Sequence, residues 1–187
     1  MIRTAFAIAL VATSALPVSS LRAQSHSGHG ADHGSGHATS SDYAGQQNRE
    51  IKALSPDDLA QLRRGGGWGL ARAAELNGAP GPAHVLELAD ELDLDPEQRD
   101  VVAALHERMK DEAVEAGDTF IAAERALDAA FVDGAPSADE LTRLVRHAAE
   151  AHGALRLVHL RYHLETLPVL EDEQVTDYRR LRGYADD

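Results

Sequence analysis

Histidine is the residue of this chain best equipped for chemistry. His26, His29, His33 and His37 fall within one short stretch, "HSGHGADHGSGH", spaced by Gly, Ser and Ala. Neutral imidazole ligates Zn, Cu and Ni well, and small flexible residues between the ligands let a chain wrap an ion. Such an arm captures metal loosely and without selectivity; the alternative is a solvated linker that happens to be rich in His. A second group, His152, His159 and His163, has helical spacing. On a helix, His159 and His163 sit about 20° to either side of His152. The pair is also at i,i+4, the separation at which two imidazoles can share one metal. The alternative is a helix carrying histidines on its flank by chance.

These groups are positioned by elements that the punctuation of the chain marks out. Met1–Ala23 has an early cation, Arg3, an apolar run from Ala5 to Leu16, then Pro17 and small residues. This is the layout of a signal peptide, and the run falls short of the roughly 20 residues needed to cross a bilayer. Residues 24–47 hold almost no large apolar side chain and read as a disordered arm. Residues 48–187 read as an all-α domain, with no period-2 strand pattern. No second apolar span is present, so the exported form carries no membrane span, and its expected location is the periplasm.

Within that domain, Ser55, Pro56 and Asp58 open a short helix over 54–62. "RRGGG" stops it, and a second short helix is expected over 68–76 and a third over 81–92. Asp95, Pro96 and Gln98 form a start signal for a long amphipathic helix over 95–131, with Val102, Leu105, Met109, Ala113, Phe120 and Ala123 on one face. Gly134 ends it. Ser137 caps a second long helix, carrying Leu144, Ala148, Ala151, Leu155 and Tyr162, that runs to Pro168; a last helix starts near 172.

Two long helices with a short turn between them make an antiparallel hairpin. Trp68 is expected to dock the short N-terminal helices onto it. Pairing across the turn brings His163 level with His106, and His159 level with Glu112, with Met109 between. These five residues are therefore candidates for one metal site, with His152 also on the stripe. The same pairing sets Gly117 opposite Gly153, either because the backbones cross closely there or as two independent soft spots. His84 and His147 have no partner in the pattern and read as structural or solvent-facing.

The start signals Leu94-Asp95-Pro96-Glu97-Gln98 and Leu170-Glu171-Asp172-Glu173-Gln174 repeat one form around the hairpin. Together with the signal peptide, this resembles the Spy/CpxP family of periplasmic stress chaperones and its relatives that bind zinc or sense heavy metals. The resemblance spans roughly 81–182, with Asp95 and Glu171 standing where the motif carries Thr. It implies a homodimer, no enzyme chemistry, and as partners either unfolded-protein clients or a membrane sensor protein.

Composition narrows the classes further. The chain has no Cys, which removes disulfides, thiolate metal sites and Cys nucleophiles. A formal charge of -13 argues against nucleic acid as a partner. No Ser-His-Asp order and no phosphate-cradling loop is present. The expectation is thus a non-enzymatic periplasmic protein that binds Zn, Cu or Ni in metal sensing, buffering or envelope protection; the alternative is an ATP-independent chaperone.

Overall fold

A computed structural model describes residues 41–184 of the chain. Residues 1–23, read from the sequence as a signal peptide, and His26, His29, His33 and His37 lie outside the described residues. Among the described residues the architecture is all-α, with no strand, in six helices: α1 Pro56–Arg63, α2 Arg72–Glu75, α3 Pro82–Glu87, α4 Pro96–Val132, α5 Ala138–Thr166 and α6 Asp172–Leu181. Ser41–Asn48, whose first seven residues the composition assigns to the arm, form turns and a single 3-10 turn over Gln46–Asn48. No helix among the described residues is long and apolar enough to cross a membrane.

α4 and α5 pack along each other as antiparallel partners. Phe120 meets His152, with ring centroids 5.2 Å apart, and Tyr162 Oη donates to Glu112 Oε1 at 2.7 Å. The stripes read from the sequence form the seam: Val102, Leu105, Met109, Ala113, Phe120 and Ala123 from α4, and Leu144, Ala148, Ala151, Leu155 and Tyr162 from α5, are all buried.

The helices α4 and α6 both begin with N-terminal caps. Asp95 Oδ1 accepts from the Gln98 N–H, while Gln98 Oε1 accepts from the Asp95 N–H at 3.1 Å. Gln174 Oε1 likewise accepts from the Glu171 N–H at 2.9 Å. The repeated motif has a purpose beyond capping, because the two amides also bond each other. Gln98 Nε2 donates to Gln174 Oε1 at 2.9 Å, and Gln174 Nε2 returns a bond to Gln98 Oε1 at 3.0 Å. Their remaining N–H groups reach the carbonyls of Val169 and Leu92. Leu94 and Leu170, the first residues of the two motifs, share one apolar cluster with Val85 and Tyr178. The repeat therefore fastens α6 to the start of α4.

The N-terminal segment packs across the hairpin through α1 and Trp68. Trp68 stacks near Phe120 and His152, and its Nε1–H donates to Asp58 Oδ1 at 2.7 Å. The second helix is shorter than its apolar pattern suggests, because Trp68 and Gly69 are left-handed, at φ 46° and 71°, so regular helix starts only at Arg72. The third ends at Glu87 and loosens into turns before Asp93, at φ 48°. Arg99 takes up its loose carbonyls, donating to Leu94 O and Ala89 O at 2.9 Å.

The two interior helix glycines have separate causes. Gly117 does not face Gly153: a Cβ there would lie 2.9 Å from Leu62 O, so Gly117 is what lets the end of α1 touch α4. A Cβ on Gly153 would meet nothing within 4 Å. Gly117→Ala is therefore expected to destabilise the fold by about 1–3 kcal/mol through overpacking. Gly153→Ala is expected to stabilise it by about 1 kcal/mol through helix propensity alone. Urea denaturation of the two variants beside the parent checks both signs; equal shifts would remove the assignment.

Candidate functional site

A cleft of about 610 Å³ opens where the Gly-rich loop 65–69, α2, the start of α3 and the C-terminal segment meet the flank of the hairpin. Its hairpin wall carries His106 and Met109 from α4 and His159 and His163 from α5. Four of the five residues that the hairpin register groups together thus line one cleft. His159 and His163 are only 2% and 7% exposed, so they lie inside the protein and not beside its core. The sequence periodicity could not show this, because the cover comes from α2 and α3, far away in the chain.

Two expected members are elsewhere. Glu112 points to another side of the hairpin, where it pairs with Arg161 and accepts from Tyr162 Oη. Its nearness in register to His159 is undone because successive positions on a helix diverge by about 100°. His152 packs with Trp68 and Phe120 as an aromatic contact, its centroid 5.9 Å and 5.2 Å from theirs. His147 is exposed, as its lack of a partner suggests. His84, by contrast, lines the cleft with its Nδ1 3.3 Å from Glu75 Oε1.

Glu75 is the residue sequence reasoning missed. It is the C-terminal residue of a four-residue helix and yet 8% exposed. Tyr178 Oη donates to its Oε1 at 2.5 Å, and Arg182 Nε lies 3.5 Å from the same oxygen. On its other side, His163 Nδ1 is 3.9 Å from Oε2. Burial works to raise the carboxyl, but the bonds from His84 and Tyr178 and the charges of His84 and His163 hold it down at about 2. The Tyr178 hydroxyl is pushed up by burial and by the carboxylate it serves. No local motif marks Glu75, because its partners Tyr178 and Arg182 are more than a hundred residues away.

The two buried imidazoles differ in their partners. His163 Nδ1 lies 2.6 Å from the carbonyl of Ala79, so Nδ1 carries the proton and donates. Its ring lies against Gly81, where a Cβ would be 2.5 Å from Nε2. His159 is kept neutral by burial, and secondarily by the neighbouring His163, which push its pKa down. His159 Nε2 is buried without a hydrogen-bond partner. Glu75 Oε2 and Arg182 Nε share that condition, and these three are the only such side-chain atoms among the described residues. All three belong to residues that line the cleft. As the side chains stand, no three His, Asp or Glu among the described residues converge on one point at metal-ligand spacing.

Compared with known proteins, the chain matches no family model, no curated protein and no solved structure.

The buried carboxylate sets an acid dependence. Its folded pKa is about 2 against an ordinary 4.5, so its stabilisation is complete above 4.5 and is lost as pH falls toward 2. Glu75→Gln is expected to cost about 2 kcal/mol near neutral pH, with the gap to the parent closing across that window. Chemical denaturation at a series of pH values measures it; a gap that stays constant down to the lower limit would refute the role of the charge.

Proposed function

We propose that the chain is an exported, periplasmic, non-enzymatic protein of Spy/CpxP-like build that binds a transition-metal ion, Zn, Cu or Ni. Its role is metal sensing, buffering or protection of the envelope, and its working form is a homodimer. The seat of binding is the pair His159 and His163, with His106 and Met109 on the facing helix as further donors. The observation that carries this reading is His159 Nε2. It is a buried nitrogen with no hydrogen-bond partner, on an imidazole whose lowered pKa keeps its lone pair free. A neutral imidazole is the form that ligates metal. The His163 Nδ1–H bond to Ala79 O supports it too, since it leaves Nε2 as the nitrogen without a proton.

The reading requires the side chains to move so that a third donor joins the pair. His106 and Met109 are the candidates, because both border the same cleft. Imidazole with thioether suits copper more than harder ions. The repeated Leu-x-x-x-Gln starts, joined through Gln98 and Gln174, support the family likeness on which the compartment and the dimer rest. The arm histidines His26, His29, His33 and His37 would collect ions at low affinity and pass them inward.

Titration of the full chain with Zn, Cu and Ni salts tests this. A variant with Ser at all four arm positions is expected to keep one tight site. His159→Leu, which fills the same buried space without a donor, is expected to weaken that site on the order of 100-fold. Equal affinity in the parent and in His159→Leu would overturn the assignment, and loss confined to the arm variant would move the metal to the arm.

A further inference from the structure

The cleft is built for more than a bare ion. At about 610 Å³ it lies within the range of pockets that enclose small organic molecules, roughly 300–1,000 Å³. Its charge runs against that of the whole protein. The chain has 31 Asp and Glu against 18 Lys and Arg, yet Arg64, Arg72, Lys110 and Arg182 line this cleft and Glu75 is its one acid. That acid is already engaged by Tyr178, His84 and Arg182. Arg64, Arg72 and Lys110 form no ion pair with any carboxylate among the described residues. In so acidic a chain, three unpaired cations gathered at one opening mark a locally positive field that draws anions.

The rest of the lining has a different character. Trp68, Leu76, Pro82 and Met109 border the same space, and Leu76 is 54% exposed. In the hairpin wall, His159 Nε2 offers a neutral, unpartnered polar atom. Exposed cations, apolar lining and one buried neutral polar group describe a site for an amphiphilic anion.

We propose that this cleft binds a small organic anion: an apolar body carrying a carboxylate or phosphate head. The head sits among Arg72, Lys110 and Arg64, whose N–H groups suit the oxygens of either anion. The body lies along Trp68 and Met109. The inference goes beyond the metal reading and does not need it. The two are compatible, because a bound anion offsets the repulsion that Arg182 and Lys110 exert on a divalent cation.

The probes are octanoate, octyl phosphate and the uncharged octanamide, titrated into the full chain after treatment with a chelator. Trp68 is the chain's one tryptophan, so its emission reports occupancy of the cleft directly. The expected result is a saturable change with at least one of the two anions, tenfold or more tighter than with octanamide. Whichever anion binds more tightly identifies the head group. Arg72→Gln combined with Lys110→Gln is expected to weaken anion binding tenfold or more and to leave octanamide unchanged. Both residues are exposed and without ion pairs, so the fold should survive, which the thermal melt of the variant checks. Octanamide binding as tightly as the anions, an unchanged anion affinity in the double variant, or no binding of any probe would each overturn the proposal. A metal titration that succeeds while the anions fail leaves the metal reading intact; anion binding in a protein that takes no metal removes only that reading.

Discussion

The bond between Gln98 and Gln174 is the contact on which the rest of the arrangement depends. Each amide closes the first turn of its own helix and then pairs with the other, so every polar atom of the two side chains is used. A net contribution of about 1 kcal/mol per bond is typical, but the larger effect is positional. The pair fixes the start of α6 against the start of α4, and helical geometry then sets the positions of later residues at intervals of four. Tyr178 lies one turn beyond Gln174 and reaches Glu75; Arg182 lies another turn on and reaches Glu75 and His84. Residues at that spacing along α6 thus carry Arg182, at its C-cap, to the C-terminal side of the cleft.

The opposite side is set by close backbone approach. The absent side chain at Gly117 lets the end of α1 rest on α4, and a Cβ on Gly65 would lie 2.7 Å from Lys110 O. The loop leaving α1 therefore runs directly over the α4 surface that bears Lys110. With φ positive at Gly65, Trp68 and Gly69, the chain curls back before α2 begins. This curl delivers Arg64 and Arg72 to one opening, although they share no common element. A cation-lined cleft in a chain of charge -13 results from this path and from the stretch 59–74, which holds three Arg and no acid.

The elements were largely legible because their signals are local. Ser55 with Asp58, Asp95 with Gln98 and the Ser137 cap mark helix starts within a single turn, and the threefold and fourfold apolar spacing marks the seam. The His106, Met109, His159 and His163 grouping was legible as well, since a hairpin with a short turn has little freedom of register. The rest was not, for a physical reason in each case. Glu112 shares a level with His159 but not a direction. Helix 68–76 obeys the apolar pattern, yet left-handed backbone at Trp68 and Gly69 delays its start. Glu75 and His84 take their meaning from Tyr178 and Arg182 at the far end of the chain. That His159 and His163 are interior depends on α2 and α3 lying over them, which no pattern within α5 encodes.

Stability alone gives no reason for the interior of the cleft. Folded proteins leave few buried polar atoms without a partner, and each costs about 1–3 kcal/mol relative to a satisfied or apolar group. Here the described residues hold three without a hydrogen bond, all on residues that border the same space. Arg182 Nε and Glu75 Oε2 keep ion-pair neighbours at 3.5 Å and 3.9 Å, which leaves His159 Nε2 the uncompensated one. A leucine at 159 would fill the seam without that cost. His159 further loses stability below pH 6.5, where the unfolded chain takes up a proton that the buried, depressed imidazole resists. Departures from a well-satisfied interior that gather at one place, and not at random through the core, are what a binding site imposes on a fold.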